Sequence, residues 1–88
     1  MAIDFPNWSR SYDGKCHGIR FWGHDSALEI AFFLEEDAIF KLCPRTKNVE
    51  AGILAGFDTA WARIQEVAGK LYARGQRRAF YVLAASDF

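Results

Sequence analysis

The side chains best equipped for chemistry are Cys16, His17, His24 and Cys43, the soft ligands and nucleophiles of an 88-residue chain. A structural zinc site usually shows paired ligands at C-x₂₋₄-C or H-x₃₋₅-H spacing, and neither occurs. Cys16 and His17 are adjacent, so within a strand they would point to opposite faces. The two cysteines read as free thiols in a reducing compartment. Pairing Cys43 with His24 or His17 as nucleophile and base is disfavoured, because Cys43 would sit beside a helix C-terminus, whose negative end opposes a thiolate. Glu35, Glu36 and Asp37 cluster, but carboxylates belong in the first turn of a helix. Gly52 and Gly56 fall inside a helical pattern and not in a strand-to-helix turn, so they form no phosphate loop. The expectation is no catalytic residue, no metal, no cofactor and no enzyme.

The strongest polar feature is the basic cluster Lys70, Arg74, Arg77 and Arg78. Such a cluster could hold a phosphate backbone or an acidic segment, and with aromatic rings nearby it could hold single-stranded nucleic acid. Eleven bases balance eleven acids over the chain, however, and nonspecific affinity for polyanions comes from summed phosphate neutralisation. The balance is uneven: residues 1–44 carry seven acids against four bases, and residues 45–88 carry the reverse. Two copies could attract through that asymmetry, or one fold could neutralise it internally.

Positioning falls to a small set of elements. Ile3 and Phe5 before Pro6 suggest a short edge strand, followed by a polar loop over 7–14 with Trp8 and Tyr12 folded back. Residues 18–22 and 27–34 read as a hairpin around a four-residue loop, pairing Trp22 with Ala27, Phe21 with Leu28, Arg20 with Glu29 and Ile19 with Ile30. A short helix over 35–42 ends before Pro44. The run 79–85, with Phe80, Tyr81, Val82 and Leu83, is apolar on both faces and predicts a strand covered twice or inside the sheet.

Between these lies the dominant element, residues 48–74, which predict one amphipathic helix capped by Asn48 and stopped by Gly75. Val49, Ile53, Leu54, Phe57, Trp61, Ile64, Val67, Ala68, Leu71 and Tyr72 form a single apolar stripe. Such a helix runs roughly 40 Å, whereas a domain of this length spans about 30 Å, so part of the stripe should overhang. Glycines inside a helix cost about 0.8 to 1.0 kcal/mol each relative to Ala, which close backbone packing would offset. Gly52 and Gly56 therefore suggest a second contact face.

The predicted fold is α+β, a single domain over 1–88: a small antiparallel sheet, made of the N-terminal hairpin and a C-terminal strand, on one long helix, with a short helix between, in the order β-β-α-α-β. Fourteen aromatic residues exceed what a one-layer core of this size hides easily, and Trp8, Trp22, Phe33, Phe40 and Tyr81 are the surplus. No apolar run is long enough to span a bilayer, and a cytoplasmic location without membrane contact is expected.

The run Gly18-Ile19-Arg20-Phe21-Trp22, the segment Ile30-Ala31-Phe32, the helix start Glu36-Asp37-Ala38, the helix core from Phe57 to Ala68 and the closing stretch from Val82 to Phe88 together resemble a family of short bacterial proteins, Domain of Unknown Function 1488. The family often places a serine before the short helix, where Leu34 or Glu35 stands here. The resemblance implies a compact α+β domain without assigned activity or cofactor, and it transfers no catalytic residue. The function expected is thus a small interaction or scaffold domain, a homo-oligomer (dimer) or one bound to an unknown protein partner, with Gly52, Gly56, Trp22, Phe33 and Tyr81 as interface candidates. Nucleic-acid binding through Lys70, Arg74, Arg77 and Arg78 is the alternative.

Overall fold

The computed structural model describes residues 3–5, 10–74 and 80–88. In chain order these form strands β1 (Arg10–Asp13), β2 (Gly18–Asp25) and β3 (Leu28–Glu35), helices α1 (Glu36–Leu42), α2 (Glu50–Thr59) and α3 (Trp61–Ala73), strand β4 (Phe80–Leu83) and a closing 3₁₀ turn (Ala85–Asp87). The α+β class is as expected, while several details differ. The sheet runs β1-β2-β3-β4, with β4 parallel to β3 and the other two pairs antiparallel, so it is mixed. Parallel neighbours need a long crossover, and all three helices lie within it. Arg10–Asp13 is a strand where a loop was expected. Residues 3–5 contribute a single bridge, Asp4 to His24, on the same side of β2 as β1.

The hairpin has a tighter turn than its sequence suggests. Asp25 pairs with Leu28, leaving Ser26 and Ala27 as a two-residue connection, and Ser26 adopts φ 56°. Trp22 therefore faces Ala31, Phe21 faces Phe32, Arg20 faces Phe33 and Ile19 faces Leu34. Relative to the expected register β3 is displaced by an even number of residues, so each side chain keeps its face while changing its partner. Gly23 looks like a turn residue but lies within β2, where Ile3 and Phe5 pack over it: an added Cβ would stand 2.8 Å from Phe5 and 2.9 Å from Ile3.

The predicted long helix is two. It breaks at Ala60, whose backbone (φ −94°, ψ 10°) ends α2 and begins α3. The break removes the overhang, since the chain extends 35 Å along its longest axis and each segment fits within that. Helix α2 also begins later than expected, with Val49 and not Asn48 as its N-cap, and Val49 is exposed. The remaining stripe residues face inward. Ile53, Phe57, Ile64, Val67, Ala68 and Tyr72 are buried against Ile19, Phe21, Ile30, Phe32 and Leu34 of the sheet.

The two helical glycines serve packing within the chain. A Cβ on Gly56 would stand 2.7 Å from Ile39 and 2.8 Å from Thr46, and one on Gly52 would stand 2.5 Å from the Lys47 carbonyl. They let α1 and its following loop approach α2, so the close packing that offsets their helical cost is found within the chain.

At the centre of the core is an aromatic cluster. Phe21 and Phe32 stack across β2 and β3 with centroids 5.1 Å apart, and Trp61 sets its edge against Phe21 at 5.6 Å and against Phe5 at 5.5 Å. Phe57 reaches Trp61 at 5.1 Å across the helix break. Arg10 fastens the sheet edge to the end of α2 by donating from Nε and Nη2 to both oxygens of Asp58, at 2.6 and 2.8 Å. Replacing Trp61 by Ala removes the ring shared by α2, α3 and the sheet, and should cost about 3 kcal/mol. Urea denaturation measures that loss, and a cost under about 1 kcal/mol would show that the cluster does not depend on it.

Candidate functional site

Strand alternation assigns every sheet residue to one of two faces. Ile19, Phe21, Ile30, Phe32, Leu34, Tyr81 and Leu83 face the helices and are buried. The opposite face carries Ser11 and Asp13 from β1; Gly18, Arg20, Trp22 and His24 from β2; Glu29, Ala31, Phe33 and Glu35 from β3; and Phe80 and Val82 from β4. None of these belongs to the core cluster.

The cross-strand partners order this open face into rows. One row runs Trp22, Ala31, Phe80, and the next runs Ser11, Arg20, Phe33, Val82. Trp22, Ala31, Phe33, Phe80 and Val82 thus form a contiguous apolar block on three strands. Phe80 is 49% exposed and Val82 47%. Phe33 is only 9% exposed, and its ring lies across Gly18, where a Cβ would stand 2.2 Å from the ring. The glycine keeps the block low against the sheet. Around it the rim is polar: Arg20 donates from Nη2 to Asp13 at 2.9 Å, with Glu35 in the row beyond, and His24 pairs with Glu29 at the other end.

Of the interface candidates, Trp22 and Phe33 lie in this block. Tyr81 does not: it is buried on the helical side, stacked on Phe32 at 5.5 Å and edge-on to Tyr72 at 6.0 Å. Phe80 and Val82 complete the block and escape the sequence reading, because a strand apolar on both faces looks like one covered on both. Among the other surplus aromatics, Phe40 packs half-buried on the core, and Trp8 lies outside the described residues.

Titratable groups gather at the turn between β1 and β2, beside the start of α1. Tyr12 donates to Glu36 at 3.3 Å, and His17 Nδ1 lies 3.6 Å from the other Glu36 oxygen. His17 has φ 56°, and its carbonyl accepts the first N–H of α1 at 3.0 Å. Burial raises the Tyr12 hydroxyl above its ordinary range, and the Glu36 carboxylate adds to the effect. Asp13 is held low, first by the Cys16 backbone N–H and then by Arg20. An open hollow of about 450 Å³ lies here, lined by Cys16, His17, Glu35, Glu36 and Asp37. Cys16 is exposed, while Cys43 lies half-buried on the far side of α1, its thiol 3.8 Å from the Gly56 carbonyl. Among the described residues no group of three or more His, Cys, Asp and Glu converges on one point.

Of the basic cluster, Lys70 stands on the last turn of α3 and Arg74 just past its end, and both line a groove with Arg63, Val67, Leu71, Ser86 and Asp87. Arg63 is paired with Glu66, and the Asp87 carboxylate shares the groove after accepting the Ala84 N–H at 2.7 Å. Arg77 and Arg78 lie outside the described residues. No described helix is long and apolar enough to cross a membrane.

Tyr12 supplies a test of the turn geometry. Its hydroxyl titrates higher in the fold than an ordinary tyrosine, so its stabilising contribution is complete below the ordinary tyrosine value and is lost as the pH rises through the folded value. Tyr12→Phe should therefore flatten the alkaline limb of a stability profile measured by denaturant titration between about pH 8 and 11. An unchanged limb would mean that Tyr12 is not held at Glu36.

A crystal structure of a protein of unknown function from Shewanella loihica PV-4, a DUF1488 family member, superposes with a TM-score of 0.81 at 18% sequence identity, over 93% of this chain and 91% of that one. Among curated proteins, none matches. The pattern that defines the family "Protein of unknown function (DUF1488)" matches residues 3–84, and the chain belongs to that family.

Proposed function

We propose that this protein is a small non-catalytic interaction domain of the cytoplasm that self-associates through the open face of its sheet. One observation carries the reading: Phe80 and Val82, about half exposed, adjoin Trp22, Ala31 and Phe33 on a face outside the core. Isolated exposed apolar residues need no explanation, but a contiguous block with a polar rim is the usual anatomy of a contact surface. A second copy suits it because the rim carries both signs, Arg20 on one flank and Glu29 and Glu35 on others, so two copies can face each other without net repulsion. Two free thiols, one of them exposed Cys16, fit a reducing compartment.

The size of the surface sets the expected strength. A stable interface hides roughly 800 Å² per partner, on the order of 15% of this protein's 5420 Å². Five side chains on three strands offer less than that, so association should be reversible and in the micromolar range or weaker.

Sedimentation equilibrium between about 10 µM and 1 mM should give a monomer–dimer isotherm. The double variant F80K/V82K should weaken it at least about tenfold with little change in melting temperature, since both side chains already meet solvent. A strict monomer across that range sinks the reading, and full dimerisation by the double variant would move the contact elsewhere.

A further inference from the structure

A groove of about 360 Å³ lies between α3 and the closing 3₁₀ turn. One wall is formed by Arg63, Val67, Lys70 and Arg74, which recur at the alternating four- and three-residue intervals of a single helix face. The other wall carries Ser86 and Asp87. That wall is fixed from both sides: Lys41 of α1 donates to the Ala85 carbonyl at 3.1 Å, and Asp87 accepts the Ala84 N–H at 2.7 Å.

The charges along the groove are unequally engaged. Arg63 is paired with Glu66 on its own helix, and one oxygen of Asp87 is taken by the backbone of its turn. Lys70 and Arg74 are exposed and form no ion pair among the described residues. Cations suit the negative end of a helix, which accounts for basic residues at the end of α3. It does not account for two of them four apart on one face, where like charges repel. An anion seated between Lys70 and Arg74 removes that repulsion and accepts charge-assisted hydrogen bonds from both.

Size and chemistry narrow the anion. The volume is at the small end of the roughly 300 to 1,000 Å³ typical of ligand sites, which suits a small molecule. A chain with eleven acids and eleven bases lacks the summed positive charge on which binding to a nucleic-acid backbone draws. Lysine and arginine are both ordinary phosphate partners, the one as a point charge and the other as a fork of donors. Asp87 opposes an anion that fills the whole groove. An ionised carboxylate only accepts hydrogen bonds, so beside a phosphoryl group Asp87 calls for a ligand hydroxyl.

We infer that this groove binds a small phosphate monoester carrying hydroxyl groups, with the phosphoryl group between Lys70 and Arg74 and a ligand hydroxyl donating to Asp87. The Ser86 hydroxyl is a further donor to the phosphoryl oxygens, and Val67 and Leu71 supply the apolar part of the lining. The site uses no residue of the open sheet face, so it does not depend on self-association.

An amide NMR titration of the whole chain at constant ionic strength tests the site, with inorganic phosphate, ribose 5-phosphate and a mixed-sequence oligonucleotide as probes. Ribose 5-phosphate should shift the Lys70, Arg74, Ser86 and Asp87 amides saturably and bind about tenfold more tightly than inorganic phosphate, through the added hydrogen bond to a charged group. The double variant K70A/R74A changes two exposed positions, so it should keep its melting temperature and lose at least about tenfold in affinity for both phosphate probes. D87N retains an oxygen for the Ala84 N–H but offers the ligand an NH₂ group in place of the second oxygen, and should bring the two affinities together. Shifts that do not saturate, or that persist unchanged in K70A/R74A, overturn the site. Equal affinity of the native chain for ester and inorganic phosphate overturns the ester assignment, and tighter binding of the oligonucleotide gives the groove to nucleic acid instead.

Discussion

The described helices all pack on one face of a four-stranded sheet, and the rest of the fold depends on that constraint. The covered face is organised around stacked Phe21 and Phe32, on which Trp61, Phe57 and Phe5 converge. A single layer of helices must reach both Ile19 near one end of β2 and Tyr81 on the terminal strand, and a straight helix cannot bend its stripe over a twisted sheet. The break at Ala60 answers that constraint. It lets α2 settle against α1 through Gly56 while α3 turns toward β4, and the Phe57–Trp61 contact bridges the two segments.

Charge placement follows the same division. Ion pairs and polar hydrogen bonds fasten the outer strand and strand ends to the helical layer: Arg10 to Asp58, Tyr12 to Glu36, and Tyr72 to Asp25. The Arg10–Asp58 pair joins a base of the acid-rich first half to an acid of the base-rich second half, so it ties the halves together without neutralising their opposite excesses. A half-buried bidentate pair such as this one fixes geometry more than it adds stability. At the sheet's far end Tyr81 packs on Tyr72 of α3, and on the other face Phe80 and Val82 are about half exposed.

Much of this was legible from periodicity and little of it from punctuation. Face assignment survives an even register error, so Ile19, Phe21 and Ile30 share one face in the expected register and in the observed one, although their partners differ. The register itself was hidden because Ser26 takes the left-handed conformation that Gly or Asn usually marks, while the visible glycine, Gly23, answers to Ile3 and Phe5. The helix break was hidden for a related reason: Ala60 is a good helix former, and the stripe stays in phase across it. At the candidate surface, Trp22 and Phe33 were legible as surplus rings. Phe80 and Val82 were not, since alternation cannot distinguish a strand buried on both faces from an apolar edge strand with one face open.

The exposed block also explains why such a surface would give a contact that is weak by design of its size. About half of a phenylalanine and half of a valine amount to roughly 170 Å² of apolar area per copy, or about 340 Å² in a symmetric pair. At about 25 cal/mol per Å² that is on the order of 8 kcal/mol, against an association cost of about 4 to 15 kcal/mol in lost translational and rotational freedom. Side-chain burial alone therefore lies near the threshold, so a contact through Phe80 and Val82 forms and parts readily.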